Sequence, residues 1–547
     1  EGGSGSGAAG ATGGSSPGTG SGGAISAPAG APTGNGSGQT GGTGLGGWGG
    51  LGLRLPDLSA RGIEAPQFIF GVRGSATLSD NIRHRPRGDE RSAFLLEASP
   101  YVVARSTAPR ANYDLAYQMR NFMRIGDDSD LTLLRHNLSG RGTFAIGGDN
   151  LWLDVAAFMG SVNASPSGSL SIDPSSTFGN RSNYRRYSVA PWYQDRLGSL
   201  ATYRMRYELS RSEGSGSSSV ADWAHHASAS VDGIDRGGKW NWGWHGFYQS
   251  RDYGDFSLDR RFSAGTLHYR YSHRLRLSAS IEYEQIDNVF NDEGDDHGWG
   301  PALGFQWNPN SRLSMSGHVA DRYYGTVGSG QISWSTSRST LGVTASKSVM
   351  TSSQSSLLTL DPLSLARGPG GTSNPLISDL VSNDLLPPGG IPIGRAWITD
   401  NAVFDRRVTA FWALRGASRT LTLAAWASTR ESAATISTPA TSGGIRGSGT
   451  GESISFEGEL RERGIGLSFS QSLDSRTRVE ASIDRREVES PSAGFENRLN
   501  TLRLGIVGRL TSDVSAFAGI RLSRQDSSGR GTDYDENAIF AGVDKRF

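Results

Sequence analysis

Cysteine is absent from all 547 residues. That excludes a disulfide framework, a thiolate metal site and a cysteine nucleophile, and it suits a chain that crosses an oxidising compartment. No stretch approaches the roughly 18 consecutive apolar residues of a membrane-crossing helix. An excess charge of either sign is missing too. The chain has 54 Lys+Arg against 53 Asp+Glu, a formal net charge of +1, which gives no support to a nucleic-acid partner. Apolar content is 35% and mean hydropathy −0.41. These values suit a soluble multidomain protein. They equally suit a barrel whose strands alternate apolar and polar residues and so conceal their hydrophobicity. The chain begins at Glu1 with neither Met nor a basic-then-apolar leader, so a mature form freed of its signal peptide is expected.

Catalytic signatures are also missing. There is no HExxH, and no GxSxG sits between a strand and a helix. His225 and His226 are adjacent, so on a strand they point to opposite faces and cannot share one metal ion. A Ser-His-Asp set drawn from distant strands needs only chance in so Ser- and Asp-rich a chain. Asp292, Glu293, Asp295 and Asp296 form an acidic run that matches no EF-hand spacing, and a solvated loop is the favoured reading over Ca²⁺ binding. The expectation is a non-enzymatic protein without metal or cofactor.

What is present falls into three parts. Residues 1–50 are Gly, Ser, Ala and Thr with almost no charge, a composition that favours a flexible tail. Its GxG patterns follow no strand and open no helix, so they are not a nucleotide site. Residues 51–65 form a linker, and from residue 66 to 547 alternation with period 2 recurs. In 275–284, Leu275, Leu277, Ala279, Ile281 and Tyr283 share one face, and Arg276, Ser278, Ser280, Glu282 and Glu284 share the other. The same holds for Met205, Tyr207 and Leu209 opposite Arg204, Arg206 and Glu208, and for Val479, Ala481 and Ile483 opposite Glu480, Ser482 and Asp484. Strict alternation marks half-buried strands. Short connections (108–111, 147–150, 197–199, 235–238, 308–311, 510–513) alternate with long polar ones (81–91, 162–181, 212–218, 288–298, 351–399, 431–451, 525–534).

That rhythm predicts an all-β fold: a transmembrane antiparallel β-barrel of the bacterial outer membrane. About 22 strands are expected, within a range of roughly 18–24, with short periplasmic turns and long extracellular loops. In lipid every backbone N–H and C=O needs an internal partner, which only helices and closed barrels provide. A barrel this wide leaves a lumen or requires a plug. Charges at mid-depth on the lipid side are costly, so the candidate lumen lining is Arg120, Arg204, Arg206, Glu208, Glu282, Glu284, Glu480, Asp484, Arg503, Arg509 and Arg521. Trp240, Trp242 and Trp244 share a face, either as part of an interfacial girdle or as a sugar-stacking platform. The last strand ends on an aromatic, with Ile539, Ala541, Val543 and Phe547 on one face, as in strands read by the barrel-assembly machinery.

Two regions carry a family resemblance. One runs from Gly71 to Val162, with Thr77-Leu-Ser-Asp-Asn-Ile82, Ser99-Pro-Tyr-Val-Val and Tyr113-Asp-Leu-Ala-Tyr117. The other holds Asp321-Arg-Tyr-Tyr-Gly325, Gln331-Ile-Ser-Trp-Ser-Thr-Ser-Arg-Ser-Thr-Leu-Gly342 and Ser346-Lys-Ser-Val-Met-Thr-Ser-Ser353. Together they resemble the outer-membrane proteins associated with PEP-CTERM/exosortase gene clusters, from which the chain departs in its Gly-rich tail and in having Tyr323-Tyr324 where Phe is expected. The resemblance implies a part in exopolysaccharide secretion and carries over no catalytic residue. Three functions are therefore expected in descending order: a porin-like export channel for an exopolysaccharide, a general or substrate-specific diffusion porin, and a plugged barrel serving as scaffold or surface anchor. The expected partners are outer-membrane lipid, the barrel-assembly machinery, periplasmic polysaccharide-export proteins and the polysaccharide itself.

Overall fold

The computed structural model describes residues 66–126, 131–163, 170, 181–214, 221–234, 237–252, 257–287, 297–350, 359–360, 391–392, 403–432, 459–528 and 532–547. The tail, the linker and the acidic run at 292–296 lie outside the described residues. The first strands are β1 (Gln67–Ser79), β2 (Ala93–Ala108), β3 (Ala111–Gly126), β4 (Leu131–Gly147), β5 (Leu151–Asn163) and β6 (Arg181–Leu197). Next come β7 (Ala201–Gly214), β8 (Ala221–Gly233), β9 (Trp240–Asp252), β10 (Ser257–Arg270), β11 (Leu275–Ile286) and β12 (His297–Asn310). They are followed by β13 (Leu313–Arg322), β14 (Gly325–Ser335), β15 (Ser339–Met350), β16 (Thr359–Leu360), β17 (Ile391–Pro392) and β18 (Val403–Arg415). The chain ends with β19 (Arg419–Ser432), β20 (Glu459–Ser472), β21 (Thr477–Ser490), β22 (Phe495–Arg509), β23 (Val514–Ser528) and β24 (Tyr534–Arg546).

All but β16 and β17, which pair with each other, form one 22-stranded antiparallel sheet. Each strand pairs with its sequence neighbours, and β24 pairs back onto β1 from Gly71↔Arg546 to Ser79↔Ala538. The sheet is thus a closed barrel without an edge, and both ends of the sheet-forming chain lie at one rim. The turns at that rim are short throughout. The opposite rim is less uniform than the sequence rhythm suggests. Some connections there are long, but Tyr323-Tyr324 alone joins β13 to β14, a turn so tight that Gly325 takes φ 113°.

Period-2 alternation sorts the side chains by face. The outward parity carries exposed apolar residues such as Phe70, Leu78, Ile281, Leu303, Ile465, Ile483, Ile506 and Ile539. The inward parity carries polar and charged side chains that crowd together on the concave wall and are largely buried. Aromatics gather at two outward levels. Near the terminal rim Trp240 packs on Tyr269 at 4.5 Å, with Trp242 beside it; near the far rim Tyr283 packs on Trp299 at 5.1 Å. Trp240, Trp242 and Trp244 all point outward, exposed by 62%, 48% and 40%. The girdle reading of this stripe therefore holds, and the sugar-platform reading fails because a sugar in the lumen cannot reach it. Ile539, Ala541 and Val543 lie on the same outward face of β24, and Phe547 is exposed beyond it. An apolar band between two aromatic girdles around an edgeless barrel is the design of a bacterial outer-membrane protein, and this chain is an integral outer-membrane β-barrel.

The facing assignment has a direct test. Ile281 lies mid-strand on the lipid face of β11, and Ser278 is inward on the same strand. Ile281→Arg should lower unfolding stability in lipid by about 2–4 kcal/mol, and Ser278→Arg by far less. Denaturant titration in vesicles measures both; equal losses would contradict the facing.

Candidate functional site in the barrel lumen

Cross-strand register fixes which inward residues meet. All eleven residues proposed from sequence to line the lumen fall on the inward parity. They divide between a buried belt towards the far rim and a more open wall towards the terminal rim.

The belt holds the tightest cluster. Glu284 receives Arg260 at 2.5 Å, Arg322 at 3.1 Å and the hydroxyl of Tyr324 at 2.7 Å. Arg322 also pairs with Glu282, which lies 3.3 Å from His318 Nε2. Arg322 sits on β13 and its acids on β11, with β12 between them. The reach is possible because the β12 residues opposite Glu282 and Glu284 are Gly300 and Gly298. A Cβ on Gly300 would lie 1.7 Å from the Asp321 carbonyl oxygen, so the position admits no side chain.

Three further clusters follow the same logic. Arg120 makes a two-pronged contact with Glu97 at 2.6 and 2.8 Å and lies over Phe122 at 4.7 Å. Such forked guanidinium–carboxylate pairs are strong and directional. Arg521 bonds Glu536 at 2.8 Å, and Ser79 donates to the same carboxylate at 2.9 Å while His84 lies 3.3 Å from it. The third, unanticipated from sequence, joins Arg430 and Arg407 to Asp405 at 3.2 and 3.4 Å, with Arg486 on Glu462 at 2.9 Å nearby. Their spacing in the chain gives no signal, since neighbouring strands bring them together.

Among the described residues, two far-rim connections reach into the lumen. Between β1 and β2, Ile82 packs with Leu95 and Phe122, and His84 stacks on Tyr534 at 4.0 Å. Between β5 and β6 comes Leu170. Leu170 is fully buried. Its N–H donates to Gln525 Oε1 at 2.9 Å, its carbonyl accepts from Tyr534, and it packs with Leu460, Val488, Phe495 and Leu499.

The open wall is built differently. Arg206 ties Asp154 to Glu208. Next to it, Trp152 and Trp192 face the lumen from directly paired positions on β5 and β6. Their rings lie parallel within 9° at 5.5 Å, and the Trp192 indole N–H donates to Asp154 at 3.1 Å. Arg204 lies over the Trp192 ring at 5.0 Å and donates twice to Gln194 Oε1, at 3.0 and 2.5 Å. This cation is held between an indole and an amide, and among the described residues no carboxylate forms an ion pair with it. Across the lumen Arg503 stands opposite Arg521 in register. It turns instead onto the Phe540 ring at 5.0 Å. Glu480 pairs loosely with Arg478 at 3.8 Å, Asp484 sits beside Gly466, and Arg509 is exposed near the terminal rim. Neither histidine reading changes: His225 is outward against Tyr207 at 2.7 Å, and His226 is inward and buried. Among the described residues no group of three or more potential ligands is placed to hold a metal ion.

The cation of this wall is arginine. Lysine occurs only at Lys239, Lys347 and Lys545 in the entire chain, and none of the inward-facing strand positions carries it. Arginine stays charged at any physiological pH and presents a rigid fork of donors.

No family model matches the chain, and no curated protein matches it. Solved structures with similar backbones include the siderophore receptor PirA from Acinetobacter baumannii, 8% identical, covering 87% of this chain and 80% of that one at a TM-score of 0.44. A ferric enterobactin receptor (PfeA) mutant from Pseudomonas aeruginosa, crystallised with enterobactin, is 10% identical, covering 87% and 81% at 0.43. The ferric citrate transporter FecA is 9% identical, covering 87% and 78% at 0.37. At these values no ligand or partner is carried over to this chain.

The belt and the open wall should differ in energetic weight. Glu284→Ala leaves Arg260 without its acid in a buried setting, and a loss of about 3–5 kcal/mol is expected. Glu480→Ala, on the open wall, should cost under about 1 kcal/mol. Unfolding titrations of the two variants check the ranking.

Proposed function

We propose that the barrel is a channel for exporting an exopolysaccharide across the outer membrane, and that it is not an enzyme. The observation that carries this reading is the Trp152–Trp192–Arg204 wall. Indole rings give flat apolar faces suited to the C–H faces of sugars, and a guanidinium held in place beside them suits hydroxyl or carboxylate oxygens. Around this wall the lumen lining is polar and charged, which keeps a transport path wet. The resemblance to outer-membrane proteins of PEP-CTERM/exosortase systems points the same way. Periplasmic export proteins would meet the barrel at the rim of short turns.

A diffusion porin shares the wet wall but needs no saccharide platform. The two readings part in cells. A strain lacking this protein should lose secreted polysaccharide and retain polymer or precursors inside, with restoration on complementation; normal secretion would discard export.

Conductance tests the wall itself. Charge reversal at Arg204 and Arg206 should shift single-channel selectivity towards cations, by several-fold in permeability ratio, while Trp152→Ala/Trp192→Ala should leave selectivity unchanged and weaken block by added oligosaccharide. An unshifted ratio would remove these side chains from the ion path.

A further inference from the structure

The rim of short turns repeats one structural position around the barrel. In each turn, the residue just before the strand that climbs back into the membrane offers its carbonyl to an N–H at the end of the next descending strand. Arg110 accepts in this way from Ala145, Lys239 from Arg270, Arg274 from Asn308, Arg312 from Ser335, Arg338 from Arg415 and Arg476 from Arg509. The same position is Asn150, Leu200, Ser418 and Asp513 in the remaining turns. A cation thus occupies it in six of the ten turns, although the chain as a whole is almost neutral.

Backbone geometry does not call for these cations, because their own turns use only their main-chain groups. Each offers its carbonyl, and Arg274, Arg312, Arg338 and Arg476 also donate their N–H to Ser272, Asn310, Thr336 and Asp474. All six are exposed, and among the described residues none of the six forms an ion pair with a carboxylate. Arg110 instead donates to the Gly148 carbonyl at 3.0 Å, and Arg274 to His273 at 3.1 Å. Three acids at this rim are engaged by hydrogen bonds of their own turns or strand ends. Asp474 accepts the N–H groups of Arg476 and Thr477 at 2.6 and 2.7 Å, bonds that hold its carboxyl below the usual carboxylate range. Asp513 takes the Thr511 hydroxyl at 2.9 Å, and Asp195 the Arg196 N–H at 2.7 Å.

Facing decides the partner. Each of the six lies two residues before an inward position of its strand, as Arg274 does before Arg276 and Arg476 before Arg478, and so continues the inward parity. The descending strands add Arg270, Arg415, Arg509 and Arg546 at the same end of the lumen wall. Lipid headgroups approach from the outside of the barrel, so they are not what this ring addresses. An excess of positive charge at a lumen mouth concentrates a polyanion entering the lumen and speeds its capture. The next features inward are the paired indoles and Arg204.

We propose that the periplasmic mouth is a receptor for an anionic polysaccharide, with the six-position ring capturing uronate carboxylates before the chain meets Trp152 and Trp192. This rests on the export reading and adds to it the charge of the cargo and the place where it is captured.

The test uses the full-length protein in detergent and a fluorescein-labelled oligogalacturonate, read by anisotropy. Wild type should bind, the affinity should fall steeply with added salt, and neutral dextran should not compete. Arg274→Gln/Arg312→Gln/Arg338→Gln/Arg476→Gln should bind about tenfold more weakly, while Arg261→Gln, an outward-facing control at the far rim, should match wild type. Heat-modifiable gel mobility confirms that each variant is folded. Absence of binding by wild type, or equal binding by the fourfold variant, would overturn the proposal. Stronger capture of polyglutamate than of oligogalacturonate would overturn it in favour of an acidic protein partner. The export reading fails separately: ring-dependent binding with normal secretion in the deletion strain sinks export alone, and lost secretion without ring-dependent binding sinks this proposal alone.

Discussion

Everything in this molecule depends on the demand that no backbone N–H or C=O be left unpaired in hydrocarbon. A sheet meets that demand only by closing on itself, and β24 does so by pairing with β1. Closure divides every strand into a lipid face and a lumen face, and the charges that do fall on the outward parity, such as Arg261, Arg463 and Glu487, gather towards the far rim. Charge is admitted to one face alone across the apolar band. That restriction forces arginines and carboxylates of neighbouring strands together on the concave wall. The ion-pair belt at Glu282, Glu284, Arg260 and Arg322 is a consequence of closure, and the glycines of β12 are the local concession that lets it form.

The barrel, its strand number and the sidedness of its charges were legible in the sequence because period 2 is a local property. Leu275 to Glu284 announces its two faces without reference to any other segment. Partnerships across strands are not local. Nothing in the spacing of Arg322 and Glu284, or of Arg521 and Glu536, says that they meet, since register is set by turn lengths and closure. The paired indoles escaped for the same reason: Trp152 and Trp192 are single aromatics in separate strands. The more conspicuous run Trp240, Trp242 and Trp244 drew attention, yet its parity places it against lipid. Connection length also misled in part. The two-residue turn at Tyr323-Tyr324 occupies the rim where long loops are expected, because Gly325 tolerates the left-handed backbone that such a turn requires.

The lumen wall joins two kinds of surface. Towards the far rim, charges are paired with one another and packed out of reach, which suits rigidity more than recognition. Towards the terminal rim, arginines lean on aromatic rings and amides, with their donors less fully consumed. The near absence of lysine sharpens the contrast, because a guanidinium can stack and bond at once while an ammonium acts as a point charge.

The pairing of β1 with β24 also bears on how the molecule comes into being. The contact between Ser79 and Ala538 joins the two ends of almost the entire chain, so the final seam cannot form until the last strand has been delivered. Until then the growing sheet exposes two open edges, each a template for pairing with other chains. Contacts so distant in sequence form slowly. A sheet of this size therefore spends its most vulnerable interval nearly complete and still open, which is when an escort that guards its edges matters most.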